Sequence, residues 1–144
     1  MSEPNNNPEH YNNPEHDDEP MLDLQDLQEL WEKCLLCEPE SNEYYKALYL
    51  YAVALDTSGK IWNATQRFMQ SARGTSMNIP NGCPDAMYEM GRRHASGIGA
   101  TCDGSCADFW FKCAADRGHA GAKKEIAIED AKKAQALPQP PQQP

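Results

Sequence analysis

Six cysteines and four histidines are the side chains here best equipped for chemistry. Cys34-x-x-Cys37 and Cys102-x-x-x-Cys106 have the close spacing of thiolate chelates, with Cys83 and Cys113 outside either pair. Four thiolates brought together would hold zinc, and the same residues could serve a thiol-responsive regulator. A disulfide framework needs a cysteine in each helix of a braced pair, and segments 43–56, 60–72 and 84–95, read below as helices, contain none. Cys34 also falls on an apolar face, where cysteine behaves as a small hydrophobe. No glycine or histidine of the knuckle type accompanies either pair. The expectation is therefore no metal and no cofactor, with Cys34, Cys37, Cys102 and Cys106 as the zinc candidates.

The remaining candidates for chemistry are isolated. His10 and His16 sit beside Glu9 and Glu15 in a segment with no other ligands, whereas His94 and His119 fall at positions expected to pack or to cap a helix. No Ser/His/Asp or Cys/His arrangement can be argued from spacing, so no catalytic residue is assigned and the chain is not expected to be an enzyme. Gly97-Ile98-Gly99 is not a phosphate loop, because no strand precedes it and Cys102 occupies the sixth position of the motif. A turn with positive φ explains both glycines.

The elements that must position these residues are helices. In residues 21–37, Leu24, Leu27, Leu30, Trp31, Cys34 and Leu35 recur at steps of three and four, which predicts one apolar helix face. Asp17, Asp18 and Glu19 suit its start, Pro20 its first turn, and Pro39 stops it. Ser41 is the expected N-cap of a helix over 43–56. Helices are also predicted over 60–72, 84–95, up to Arg117 (capped by Asp103 or Ser105), and over 119–136. No strand-period segment appears, so the fold class is all-α. The outer segments, 1–20 with its Asn-Asn-Pro-Glu-His repeat and 138–144 with its Pro/Gln composition, are expected to be tails.

Comparing the chain with itself reveals a repeat. Ala64, Phe68, Ser71 and Ala72 precede Ala107, Phe111, Ala114 and Ala115 by 43 residues, while Ala47, Tyr51 and Ala52 precede Ala86, Met90 and Gly91 by 39. The small residues allow two helices to approach closely, and Phe68, Trp110 and Phe111 fill the remaining groove. The second copy reads Ala86-x-x-x-Met90-Gly91-x-x-His94-x-x-Gly97-x-Gly99-x-x-x-Asp103-x-x-x-Ala107-x-x-Trp110-Phe111-x-x-Ala114-Ala115-x-x-Gly118-His119-Ala120-x-Ala122. That pattern resembles the Sel1-like repeat, a relative of the tetratricopeptide repeat. His94 stands where the family usually has an aromatic residue, and Ala100 where it has a branched aliphatic one. The resemblance implies a right-handed stack of helix pairs and a protein-binding adaptor. It divides the chain into a divergent repeat over 43–85 and a closer one over 86–121. Helix 21–40 would cap the first unit through Leu24, Leu27, Leu30, Trp31 and Leu35. Helix 119–136 would cap the second through Ala122, Ile126 and Ala127.

Charge bounds the partner. The chain carries a formal −9, of which residues 1–43 hold −12 and residues 44–144 hold +3. Phosphate contact needs a basic face, so nucleic acid is not expected. No apolar run approaches the ~18 residues of a membrane span. The start Met1-Ser2-Glu3-Pro4-Asn5 lacks a basic and apolar leader pattern, and a cytoplasmic location is expected. A protein or peptide partner is expected on the concave side, at Tyr45, Tyr49, Tyr88 and Arg92, which are residue types that anchor interfaces. The acidic arm could tune or occupy that face, and the terminal helices offer a route to a homodimer.

Overall fold

The computed structural model describes residues 23–136; the two expected tails, and Asp17 to Pro20 as a helix start, lie outside them. Six helices follow one another: α1 Leu24–Leu36, α2 Asn42–Thr57, α3 Ile61–Arg73, α4 Pro84–Ser96, α5 Gly104–Asp116 and α6 Ala120–Ala136. There is no strand among the described residues. Each helix packs on its neighbours in sequence, as short connections between antiparallel helices require.

Local chemistry sets the helix starts. Asp23 caps α1, accepting from the Asp26 amide while the Asp26 carboxylate accepts from the Asp23 amide, a reciprocal capping box. Ser41 caps α2 by accepting from the Tyr44 amide. Asp103, rather than Ser105, caps α5, its carboxylate accepting from the amides of Ser105 and Cys106. Those bonds favour the charged form and hold its pKa below the usual aspartate range. Pro84 occupies the first turn of α4, where a missing N–H costs nothing.

The core runs the length of the chain. Cys34, Leu48, Phe68, Met87 and Met90 are fully enclosed, with Trp110 and Phe111 closing the far end. Gly91 packs directly on Phe111; a Cβ there would sit 2.6 Å from the ring. Residues 74–83 fold back over the end of α3, so that the amides of Gly82 and Cys83 donate to the carbonyls of Ala72 and Ser71. The loop thereby satisfies carbonyls that a helix end otherwise leaves open.

The expected face of α1 is only partly used. Leu27 and Cys34 are buried, and Leu30 and Trp31 pack at the edge of the core. Leu24 is 73% exposed and Leu35 is also largely exposed, because α2 supplies most of the cover of this helix and its flanking rows face outward. At the other end α6 is held by Ala122 and Ile126, whereas Ala127 is exposed.

Candidate functional site

The outward side of α2 and α4, continued by the start of α6, gathers most of the residues expected to meet a partner. On α2, positions 45, 48, 52 and 55 point into the core, which turns Leu50 and Val53 outward at 50% and 37% exposure. Tyr49 lies between the two directions, half-buried, its ring 5.9 Å from Phe68. On α4, the matching tyrosine is Tyr88, half-buried, its ring 5.8 Å from Phe111. The two contacts also share their tilt, 51° and 49°. Residues 39 apart on one helix and 43 apart on the next thus make the same tertiary contact twice.

Carboxylates and a guanidinium surround the tyrosines. Burial pushes the Tyr49 phenol above the ordinary tyrosine range, and the charges of Asp85 and Glu89 push it further, partly opposed by Arg92. Arg92 is exposed, pairs with Glu89 at 3.1 Å, and places its guanidinium 5.9 Å from the Tyr88 ring centroid. His119 stacks on the other side of Tyr88, with ring centroids 4.5 Å apart. Its Nδ1 accepts from the Ala122 amide at 3.1 Å, capping α6, so its Nε2 carries the proton and donates to Asp85 at 3.0 Å. With both nitrogens hydrogen-bonded and its ring stacked on Tyr88, this imidazole ties the start of α6 to α4.

Tyr45 is not part of this surface. It is 5% exposed, packed against Tyr44 and turned into the core, where desolvation raises its phenol pKa. Its position four residues before Tyr49 suggested one face, but the packing of α1 and α3 against α2 takes the Tyr45 row inside. Conversely, the exposed Leu50 and Val53 of α2, and the Asp85 and Glu89 carboxylates that act on Tyr49, were not singled out in the sequence. The signal was available, since the nine residues 47–55 of α2 are all apolar and two neighbouring helices cannot cover every side of such a run.

A second missed residue joins the two helix pairs. Arg93 shares the buried row of Ala86 and Met90, and is itself 5% exposed. It is ion-paired with Asp56 at the end of α2, donates to Thr65 Oγ1 at 2.9 Å, and lies 4.7 Å over the Phe68 ring. Its Nε is buried without a partner. Gly99 fits against it only for want of a side chain, since a Cβ would meet the Arg93 guanidinium at 2.3 Å, and its φ of 76° also suits glycine. A cleft of about 250 Å³ opens here, lined by Asp56, Glu89, Arg92, Arg93, Ser96 and Ile98.

The cysteines are not brought to one centre. Cys34 is buried in α1 and Cys37 follows at its C-cap, whereas Cys102 precedes α5 and Cys106 lies in its first turn. Helix α1 packs on α2, and α5 packs on α4 and α6. No group of three or more His, Cys, Asp or Glu among the described residues could hold a metal ion. Burial raises the thiol pKa values of Cys34, Cys83 and Cys113, which keeps them protonated and poor as nucleophiles.

No helix among the described residues is long and apolar enough to cross a membrane. No protein-family model, no curated protein and no solved structure matches the chain.

Proposed function

We propose that the protein is a non-enzymatic adaptor or regulator, a short Sel1-like stack of two helix pairs that binds a protein or peptide partner on the outward side of α2 and α4. The single observation that carries this reading is the duplicated contact, Tyr49 on Phe68 and Tyr88 on Phe111 at 5.9 and 5.8 Å. Two pairs built alike, joined by α3 packing on α4, are what a solenoid repeat requires. In such a stack the first helices of successive pairs line one continuous surface. Here that surface offers exposed aliphatic side chains, two tyrosines with immobilised rings and an exposed arginine, a combination that anchors interfaces at low entropic cost.

The partner complementary to this face presents an apolar residue for Leu50 and Val53 and a carboxylate for Arg92. Affinity purification from the native host tests the assignment with Leu50→Glu and Arg92→Ala, two changes on exposed side chains that leave the fold intact. Loss of the same partner from both variants, with unchanged circular dichroism, is the expected outcome. Equal recovery of every partner by wild type and both variants would refute this face. The alternative, a zinc- or thiol-dependent regulator, is tested on the same samples by native mass spectrometry, thiol titration and stability with chelator; no zinc mass, six titratable thiols and unchanged stability would end it.

A further inference from the structure

A groove lies away from the Tyr49 and Tyr88 face, between α1, the end of α2 and α3. It has a volume of about 450 Å³, and its walls include Leu24, Trp31, Tyr51, Lys60, Gln66 and Arg67. The aromatic floor is built: the rings of Trp31 and Tyr51 are 5.3 Å apart, and the Arg67 guanidinium lies 4.4 Å over Trp31 and 6.0 Å from Tyr51. Stacking immobilises that guanidinium without neutralising it, and its hydrogen bond goes to the neutral Gln70 Oε1 at 2.9 Å. No carboxylate lines the groove, and neither Lys60 nor Arg67 has an ion-pair partner among the described residues. The α1 carboxylates Glu29 and Glu32 line an adjoining depression that meets the groove at Leu24 and Gln28, on the side of the groove away from α3.

We propose that this groove is the docking site of the acidic segment formed by residues 1–22 of the same chain. Two observations select that occupant. The segment carries six carboxylates and neither lysine nor arginine, opposite in sign to the groove. It also joins the described chain at Asp23, beside the groove-lining Leu24. Asp17, Asp18 and Glu19 are five to seven residues from Leu24, which at ~3.3 Å per residue spans roughly 17–23 Å. They can therefore reach Lys60 and Arg67 while Met21 and Leu22 cover the exposed Leu24. A tether this short supplies an effective concentration on the order of millimolar, so weak individual contacts suffice.

Nuclear magnetic resonance of the full chain tests the docking. The reporters are the Trp31 indole N–H and the amides of residues 60–67, with the Trp110 indole as internal control. The first variant neutralises the segment in place (Glu15→Gln, Asp17→Asn, Asp18→Asn, Glu19→Gln), and the second is Lys60→Gln. The neutralised chain and the wild type in 0.5 M salt are expected to shift the Trp31 and 60–67 signals in the same direction, leaving Trp110 unmoved. A synthetic peptide of residues 1–22, added to the neutralised chain, should restore the wild-type positions, with affinity weakened about threefold to fivefold by Lys60→Gln. Lys60 is an exposed residue preceding α3, so its change leaves the fold readable even where Arg67→Gln, which removes the ring stacking, does not. The proposal is overturned if neutralisation leaves Trp31 unmoved or if the shifts fall on the Tyr49 and Arg92 face. It is also overturned if the shifts depend on protein concentration, which would place the segment on a second copy.

Discussion

Replacing Asp56 with asparagine leaves the Arg93 guanidinium 5% exposed and without its carboxylate, while replacing Arg93 with methionine removes the buried charge and leaves Asp56 able to reach water. The two halves of one ion pair should therefore have unequal costs. An exposed pair contributes up to about 1 kcal/mol, and breaking a fully buried one costs about 3–5 kcal/mol. The Asp56 side chain is 42% exposed, so solvent screening places this pair between those limits, near 2.5 kcal/mol. Asp56 also lies in the last turn of α2, where removing a negative charge returns about 0.5 kcal/mol from the helix dipole. The expected net cost of Asp56→Asn is about 2 kcal/mol, a drop of roughly 6–12 °C in Tm for a domain of this size. Arg93→Met loses the hydrogen bond to Thr65 but retains an unbranched chain over Phe68, and its expected cost is within about 1 kcal/mol. Urea unfolding followed by circular dichroism measures both, and the double variant closes the cycle with a coupling of about 2.5 kcal/mol, because the dipole contribution cancels. An Arg93→Met cost equal to or above that of Asp56→Asn would refute the view that an uncompensated buried charge dominates here.

Four further outcomes follow from the packing and capping. Gly91→Ala would ordinarily stabilise a helix by about 1 kcal/mol, but the new Cβ meets Phe111 at 2.6 Å, and overpacking of about 1–3 kcal/mol should lower Tm instead. Ser41→Ala removes the acceptor for the Tyr44 amide and should cost about 1 kcal/mol in the same unfolding assay. Thiol titration at neutral pH should modify the exposed Cys102 ahead of the buried Cys34 and Cys83, both of which should react fully only on unfolding. The raised thiol values also fix a pH dependence. Between the ordinary thiol value, about 8.5, and the higher folded values, the unfolded chain releases protons that the folded chain keeps, so stability falls as pH rises through that window. Stability that stays flat as pH rises through and above the ordinary thiol value would contradict the burial of these groups.

Much of the architecture was legible in the chain because it rests on local rules. Apolar steps of three and four, Ser41 and Asp103 as caps, Pro84 in a first turn and Gly97 at a helix end place five of the six helix starts within a residue or two. The first helix is the exception at its start. The acidic run before Pro20 competed with Asp23-x-x-Asp26 as a start signal, and the capping box uses the latter. The candidate surface was legible only in part. Tyr49, Tyr88 and Arg92 follow from the repeat offsets, yet Tyr45 goes to the core because periodicity shows which residues share a row without showing which row a neighbour covers.

What the sequence determined by itself is therefore the all-α class and five of the six helix starts, since each is written in near-neighbour spacing and turn chemistry. Tertiary structure alone decided where the charges work. Arg93 reads as one more polar residue until three helices meet around it, and Lys60 and Arg67 become a cationic wall with no ion-pair partner among the described residues only when α3 lies beside Trp31 and Tyr51. The strength of a charge depends on its distance from other charges and from water, and contacts made across dozens of residues set both.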